Sequence, residues 1–134
     1  MASIESIKTD VSKEVEGVWV NYGSGIKLLI ARARNSKYQD VLRELIDPLK
    51  KGIREDSVKI TDLEDVLLRV RARTILLGWK NIEAADGSEI VYSHEAAEKF
   101  FKDPELRDFY IFVVTVSESA DRYKKELVEA AEKN

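Results

Sequence analysis

Two short apolar runs open the patterned part of the chain. Val15 to Tyr22 and Ile26 to Arg32 are rich in β-branched and aromatic residues, and Gly23-Ser24-Gly25 separates them. Glycine reaches positive φ without strain, so a three-residue connection that contains it favours a hairpin. The pattern therefore predicts an N-terminal β-hairpin. Residues 1–13 are polar and lack a sustained period, so we expect a flexible tail there.

A first helix is predicted to follow the hairpin. Asn35-Ser36 can cap it, and Gln39 completes a capping box with Ser36. Pro48 interrupts the helical spacing of the apolar residues. Either the helix ends near Ile46, or Asp47 caps a new short turn that has proline at its first position.

A second, longer helix is predicted to begin at Thr61 and Glu64, which form a capping box. It should run to about Leu77 and stop at Gly78. Its main apolar stripe consists of Leu63, Val66, Leu67, Val70, Thr74 and Leu77. A second stripe lies on another side of the same helix and consists of Leu68, Ala72 and Ile75.

The second half of the chain begins with a predicted turn at Asp86-Gly87, a small hairpin or extended turn. Ser93 caps a short helix through about Phe101, which points Ala97, Phe100 and Phe101 inward. Asp103-Pro104 starts a last helix, with aspartate at the cap and proline in the first turn.

Residues 109–116 look like a buried strand in isolation. The helical phase of Leu106, Tyr110 and Val113 continues through both flanks, however, and favours a helix from Pro104 to about Lys133. The pattern also permits a break in this helix near Ser117. The predicted fold class is α+β and mainly α-helical, with an N-terminal β-hairpin followed by a bundle of about four helices in one domain, residues 1–134.

Composition narrows the class of protein. The apolar content of 44% and charged content of 35% are typical of a folded domain with a well-solvated surface, and the absence of cysteine excludes disulfides and thiolate metal sites. The net charge of −3 does not favour a nucleic-acid surface. No signal peptide is apparent at the N-terminus, and the longest apolar run is too short to cross a membrane, so we expect a cytoplasmic protein.

Candidate catalytic groups are few. His94 follows a helix cap without a diagnostic partner, and Ser24 lies in a predicted hairpin instead of a nucleophile elbow. Two carboxylate groups, around Asp62 and Asp86, fit a helix start and a turn better than a metal site. We therefore expect no enzyme activity, no metal and no cofactor.

Basic residues offer a weak nucleic-acid alternative. Arg69 and Arg73 share one helical face while Arg71 points elsewhere, and no array of aromatic residues accompanies them. Nucleic acid is therefore not an expected partner.

Apolar residues outside the main stripes are the candidate partner-binding residues: Leu68, Ala72, Ile75, Ile111 and Val114. A helix that is apolar on two sides is covered on both, within the fold or by another protein chain. The N-terminal hairpin could equally cover these residues.

The stretch from Leu76 to Ser93 reads Leu-Leu-Gly-Trp-Lys-Asn-Ile-Glu-Ala-Ala-Asp-Gly-Ser-Glu-Ile-Val-Tyr-Ser, and it is followed by Glu95-Ala96-Ala97 and Asp103-Pro104-Glu105-Leu106. This ordered combination resembles the tail assembly chaperones of long, non-contractile-tailed bacteriophages and prophages. The resemblance covers about residues 15–120. Its signature residues have structural character: Gly78, Trp79, Asp86, Gly87, Tyr92, Ser93 and Pro104.

The resemblance implies a helical, oligomeric protein of the bacterial host cytoplasm, absent from the mature virion. Such chaperones bind and solubilise the tape-measure protein, and a longer frameshifted form is thought to recruit the major tail tube protein. The alternatives are a structural virion protein, such as a head–tail connector or tail-completion subunit, and a small nucleic-acid-binding regulator.

Overall fold

The computed structural model describes residues 1–125. Its strands are β1 (Val18–Gly23), β2 (Ile26–Ile30) and β3 (Leu76–Lys80). Its helices are α1 (Val11–Glu16), α2 (Ser36–Ile46), α3 (Lys50–Arg54), α4 (Ile60–Thr74), α5 (His94–Lys102) and α6 (Arg107–Ser117). The predicted α+β class with an N-terminal hairpin is confirmed.

The hairpin joins β1 and β2 in antiparallel register, with Val20 opposite Leu28. Ser24 and Gly25 turn the chain at positive φ, 53° and 80°, the backbone region that two-residue hairpin turns require. The first strand begins later than the pattern predicted, because Val15 and Glu16 belong to α1.

A third strand completes the sheet, and it corrects the prediction that the long helix runs to Leu77 and stops at Gly78. The helix α4 ends at Thr74. Residues 76–80 then pair antiparallel with β2, so that Gly78 lies opposite Leu29 and Trp79 opposite Leu28. Pairing with β2 satisfies backbone groups that a longer helix would leave exposed on the edge of a two-stranded hairpin.

Helix starts agree with the predictions at two places and differ at a third. The Asn35 side chain accepts a hydrogen bond from the Tyr38 amide at 2.9 Å and caps α2, whereas the predicted Ser36–Gln39 box is wrong because Ser36 lies within the helix. Ser93 caps α5 in the same way. The predicted Thr61–Glu64 box is wrong, because α4 begins at Ile60 and it is the Asp62 carboxylate that accepts from the Lys59 amide at 3.3 Å.

Around Pro48 the predicted helix end near Ile46 is confirmed and a short turn follows, but the predicted Asp47 cap is wrong, because Ile46 occupies the cap position without a side-chain hydrogen bond. The helix α2 ends at Ile46, and a 3-10 turn with proline in its first turn continues over Asp47–Leu49 into α3.

The last helix confirms the helical prediction for residues 109–116. Asp103 caps a 3-10 turn over Pro104–Leu106, which leads into α6. The helix breaks at Ser117, where the alternative placed the break, and a 3-10 turn over Ala120–Tyr123 follows. The predicted continuation to Lys133 lies outside the described residues beyond Lys125.

Residues 1–13, predicted to be a flexible tail, have defined contacts with the fold. They include a 3-10 turn over Ile4–Ile7 and the start of α1, which the Asp10 side chain caps. The Asp10 amide donates to the Tyr123 carbonyl at 2.8 Å, and Thr9 forms an isolated bridge with Lys124. Backbone pairing with the chain after α6 therefore connects this segment to the fold, which the sequence did not indicate.

The core lies between one face of the sheet and the helices. Val20, Leu28 and Trp79 share that face in cross-strand register and are buried. The helix α4 packs mainly against α2 and α5, and α6 packs against α5 and β2. Within residues 1–125, none of the helices combines the length and the apolar character needed to cross a membrane.

Candidate protein-binding surface

The five candidate partner-binding residues differ in how far they are exposed to solvent. Ala72 and Ile75 are core residues, 0% and 2% exposed. They are covered because α4 packs between α2 and α5, and the Ile75 carbonyl accepts a hydrogen bond from the Ala31 amide just after β2. Ala72 and Ile75 therefore offer almost no exposed surface to a partner. Leu68 and Val114 are half-buried, and Ile111 is 51% exposed.

The three accessible candidates lie along a groove between α4 and α6, called here the α4–α6 groove. Two adjoining depressions of about 260 Å³ and 80 Å³ form it, and Arg71 belongs to both. The larger is lined by Glu64, Leu67, Leu68, Arg71 and Tyr110. The smaller is lined by Ala33, Arg34, Tyr38, Arg71, Ile75, Val114, Ser117 and Glu118. Ile111 lines neither depression; it is exposed and lies three residues before Val114 on the same side of α6, so it borders the groove at its rim.

Arg71 and Tyr110 join the two walls of the groove. The guanidinium donates to the Tyr110 hydroxyl at 2.6 Å and lies 5.8 Å from the centroid of the same ring. The Tyr110 ring in turn packs against Phe101 at 4.6 Å between centroids. The groove therefore has an apolar wall on each side and a positioned cation between them. Glu64 lies at one end, and Arg34 and Glu118 at the other.

The signature residues have structural roles. Trp79 stacks on Phe100 with ring centroids 4.7 Å apart and meets the edge of Tyr92 at 5.0 Å. Its indole nitrogen donates to the Ile90 carbonyl at 2.7 Å. The Tyr92 hydroxyl donates to the carbonyl of Leu76. These ring contacts and hydrogen bonds therefore hold β3 against α5.

The turn within the signature is built by Asp86 and Gly87. Asp86 accepts hydrogen bonds from the amide and hydroxyl of Ser88, and these bonds lower the pKa of its carboxyl group. Gly87 has φ of 86°, and Glu83 bridges Glu89 across the turn. The sequence predicted a small hairpin or an extended turn, and the structure has a turn closed by this single bridge, in which the Asp86 carboxylate accepts from donors of the turn itself.

The groups weighed for catalysis or metal binding are not brought together. His94 meets the edge of the Tyr92 ring at 6.1 Å, and Ser24 lies in the hairpin turn. In the part of the chain that the structure describes, no group of three histidine, cysteine or carboxylate side chains has a metal-binding arrangement.

Of the arginines weighed for nucleic-acid binding, Arg69 and Arg71 have partners within the fold, and so does Arg32. Arg69 lies 3.9 Å from Asp65 and 3.8 Å from Glu98, which connects α4 to α5. Arg32 pairs with Glu14 at 3.3 Å and lies over the Tyr123 ring at 5.9 Å. These side chains stabilise junctions between elements and do not form one basic patch.

Residues that the sequence did not single out contribute to exposed surfaces. Leu67 and Tyr110, assigned to main stripes, line the α4–α6 groove. Trp19 is 46% exposed on the sheet. The alternation of Trp19 with Val18 and Val20 could have indicated its outward direction, because successive side chains of a strand point to opposite faces.

Comparison with known proteins identifies a family. No curated protein and no solved structure matches the chain. The model of the YdaY prophage protein family matches residues 33–134, which is more than half of the chain and contains both walls of the α4–α6 groove. The chain therefore belongs to the YdaY prophage protein family.

Proposed function

We propose that the protein is a phage tail assembly chaperone that binds the tape-measure protein and keeps it soluble, without catalysis or a cofactor. The observation that carries the proposal is the α4–α6 groove, with Leu67, Leu68 and Val114 on its walls and Ile111 exposed at its rim. Membership of a prophage protein family supports it, as does the resemblance of residues 15–120 to tail assembly chaperones.

A helical partner suits the apolar lining of this groove. An amphipathic helix can lay its apolar stripe along such a groove, with anchors spaced three or four residues apart. Burial of apolar surface stabilises the contact by about 25 cal/mol per Å². Arg71 is held in position by Tyr110 and retains further N–H donors for a carboxylate on the bound helix.

Avidity follows from the length of the partner. One groove of this size gives weak binding, whereas repeated copies along a long helical protein act together. We therefore expect the chaperone to self-associate in the host cytoplasm, cover the tape-measure protein, and leave before the tail is finished. A longer form that recruits the tail tube protein is consistent with the same role.

Co-expression with the tape-measure protein of the same prophage tests the proposal. Wild-type protein should raise the soluble yield of the tape-measure protein and co-purify with it. Ile111→Asp, at the groove rim, should lower the recovered complex about tenfold, because a charge is placed in an apolar contact. Val91→Asp is the matched control, since Val91 is 72% exposed and lies outside the groove.

Two results would contradict the proposal. If wild-type protein neither solubilises nor co-purifies with the tape-measure protein, the function is wrong. If Ile111→Asp and Val91→Asp bind equally well, the function stands but the groove is not the site. Mass spectrometry of purified virions gives a further check, because a structural tail or connector subunit would be present in them.

A further inference from the structure

The sheet has a second face that is not covered by the helices, called here the outer sheet face. It carries six residues in two cross-strand rows: Trp19, Leu29 and Gly78, and Asn21, Lys27 and Lys80. Directly opposed residues in neighbouring strands share a face, so each row forms a continuous line across the sheet. Leu29 is not part of the core cluster, Gly78 has no side chain, and Lys27 and Lys80 are exposed.

Trp19 lies across this face. A Cβ atom added at Gly78 would lie 3.7 Å from Cη2 of Trp19, so the indole extends from β1 past Leu29 to β3. The ammonium of Lys80 lies 4.3 Å from the centroid of the ring. Gly78 was predicted to end a helix. Because it has no side chain, it instead leaves room for this indole to lie over β3. The indole is thus fixed in place although 46% of its surface is exposed.

The charged residues within the three strands are of one sign, although Glu89 outside the strands lines a depression together with Lys80. The three strands contain no aspartate or glutamate, and their only charged residues are Lys27 and Lys80. These two lysines are directly opposite one another, an arrangement that destabilises a sheet through like-charge repulsion. Neither forms an ion pair with any residue in 1–125. An anion between them would relieve the repulsion.

We propose that the outer sheet face binds an acidic protein segment. The segment places a carboxylate between Lys27 and Lys80 and packs an apolar side chain against Trp19 and Leu29. This site is separate from the α4–α6 groove, which lies on α4 and α6 and is lined by none of these residues.

Two other occupants fit this face less well. A second copy of the chain, packed face to face, would bring its Lys27 and Lys80 close to those of the first copy and add like-charge repulsion. Single-stranded nucleic acid uses aromatic faces on which successive bases stack. Here a single indole is present, and the Lys80 ammonium already lies over its ring.

NMR titration of the ¹⁵N-labelled full chain tests the proposal. The probe is a synthetic peptide of alternating glutamate and leucine, and the comparison peptide has glutamine in place of each glutamate. The chain has two indole N–H signals, which Trp19→Phe assigns. We expect the acidic peptide to shift the Trp19 signal and leave that of buried Trp79 unchanged, with at least about tenfold weaker binding of the glutamine peptide.

Charge reversal provides the second arm. The double variant Lys27→Glu with Lys80→Glu should bind the acidic peptide about tenfold more weakly, and a peptide of alternating lysine and leucine should bind it more tightly than it binds wild type. Lys37→Glu with Lys51→Glu is the matched control. It makes the same change in net charge at exposed lysines outside the sheet and should bind the acidic peptide nearly as well as wild type does.

Several outcomes would overturn the proposal: no Trp19 shift at peptide concentrations up to about 1 mM, equal binding of the acidic and glutamine peptides, or tighter binding of oligo-dT than of the acidic peptide at the same salt concentration. Dimerisation of the wild-type chain that shifts the Trp19 signal in the absence of peptide would identify a second copy as the occupant instead. Ile111→Asp should retain peptide binding, so failure of this site and failure of the chaperone role are distinguishable.

Discussion

Two tyrosine hydroxyls connect distant parts of the chain. Tyr123 is fully buried, and its hydroxyl donates to the Ile30 carbonyl at 3.0 Å. Tyr92 donates to the Leu76 carbonyl at the start of β3. Burial raises the pKa of each hydroxyl from its ordinary value of 10.0 to about 12, and the carboxylate of Glu95 adds to the effect at Tyr92. Both hydroxyls therefore stabilise the fold in their neutral, donating form.

Alkaline pH should destabilise the protein through these groups. A tyrosine in the unfolded chain loses its proton near pH 10, whereas the folded pKa is about 12. The stabilisation is therefore fully present below pH 10 and is lost as the pH rises from 10 to 12, by at most about 1.4 kcal/mol per pH unit for each tyrosine. Urea unfolding at pH 9, 10 and 11 measures the decline. Tyr123→Phe should lower the free energy of unfolding by about 1 kcal/mol at pH 7 and make its decline with rising pH shallower. An unchanged dependence on pH would contradict the assignment to Tyr123.

At the scale of elements, Asn35 joins the start of one helix to the end of another. Its side-chain oxygen caps α2 through the Tyr38 amide, and its side-chain nitrogen donates to the carbonyls of Arg32 at 2.8 Å and Thr74 at 3.4 Å. Thr74 is the last residue of α4. The neighbouring Ser36 is exposed, and its side chain makes no hydrogen bond within residues 1–125.

Substitution at these two adjacent positions separates the roles. Asn35→Ala should lower the free energy of unfolding by about 2–3 kcal/mol, because it removes a cap and leaves buried backbone groups without partners. Ser36→Ala should change it by less than about 0.5 kcal/mol, as is usual for exposed sites. Chemical denaturation of the two variants measures the difference. Similar losses for both would support the Ser36–Gln39 box that the sequence predicts.

At the scale of the whole molecule, the segment before the hairpin and the segment after α6 meet. The Asp10 amide donates to the Tyr123 carbonyl, and the Lys125 amide donates to the Lys8 carbonyl at 3.1 Å. Arg32 then connects this pair to the hairpin through its ion pair with Glu14. Residues at the two ends of the described chain thus cover the carboxyl end of β2.

Deletion of residues 1–10 should therefore destabilise the protein by about 1–3 kcal/mol, since the Asp10 cap of α1 and the backbone hydrogen bonds to the segment after α6 are lost. Thermal unfolding and the exchange rates of backbone amide protons near Ile30 and Tyr123 measure the effect. Ile4→Ser with Ile7→Ser is the control, because these side chains are 67% and 72% exposed and their replacement should be nearly neutral. If deletion is equally neutral, the contacts do not stabilise the fold.

The sequence alone determined the features that depend on neighbouring residues. The glycine-containing turn at residues 23–25, the Ser93 cap and the Asp103-Pro104 helix start were all predicted and are present. Each follows from backbone conformation or hydrogen bonds within a few residues. The helical phase on both sides of residues 109–116 likewise identified α6 before its contacts were known.

Tertiary structure alone decided the features that depend on pairing between distant segments. Residues 75–77 continue the helical spacing of α4, yet residues 76–80 form a strand because the free edge of β2 lies beside them. Packing of α4 between α2 and α5 buried Ala72 and Ile75 and left Leu68, Val114 and Ile111 along the groove. Helical periodicity identifies apolar faces, but which face is covered depends on the positions of the other helices and strands.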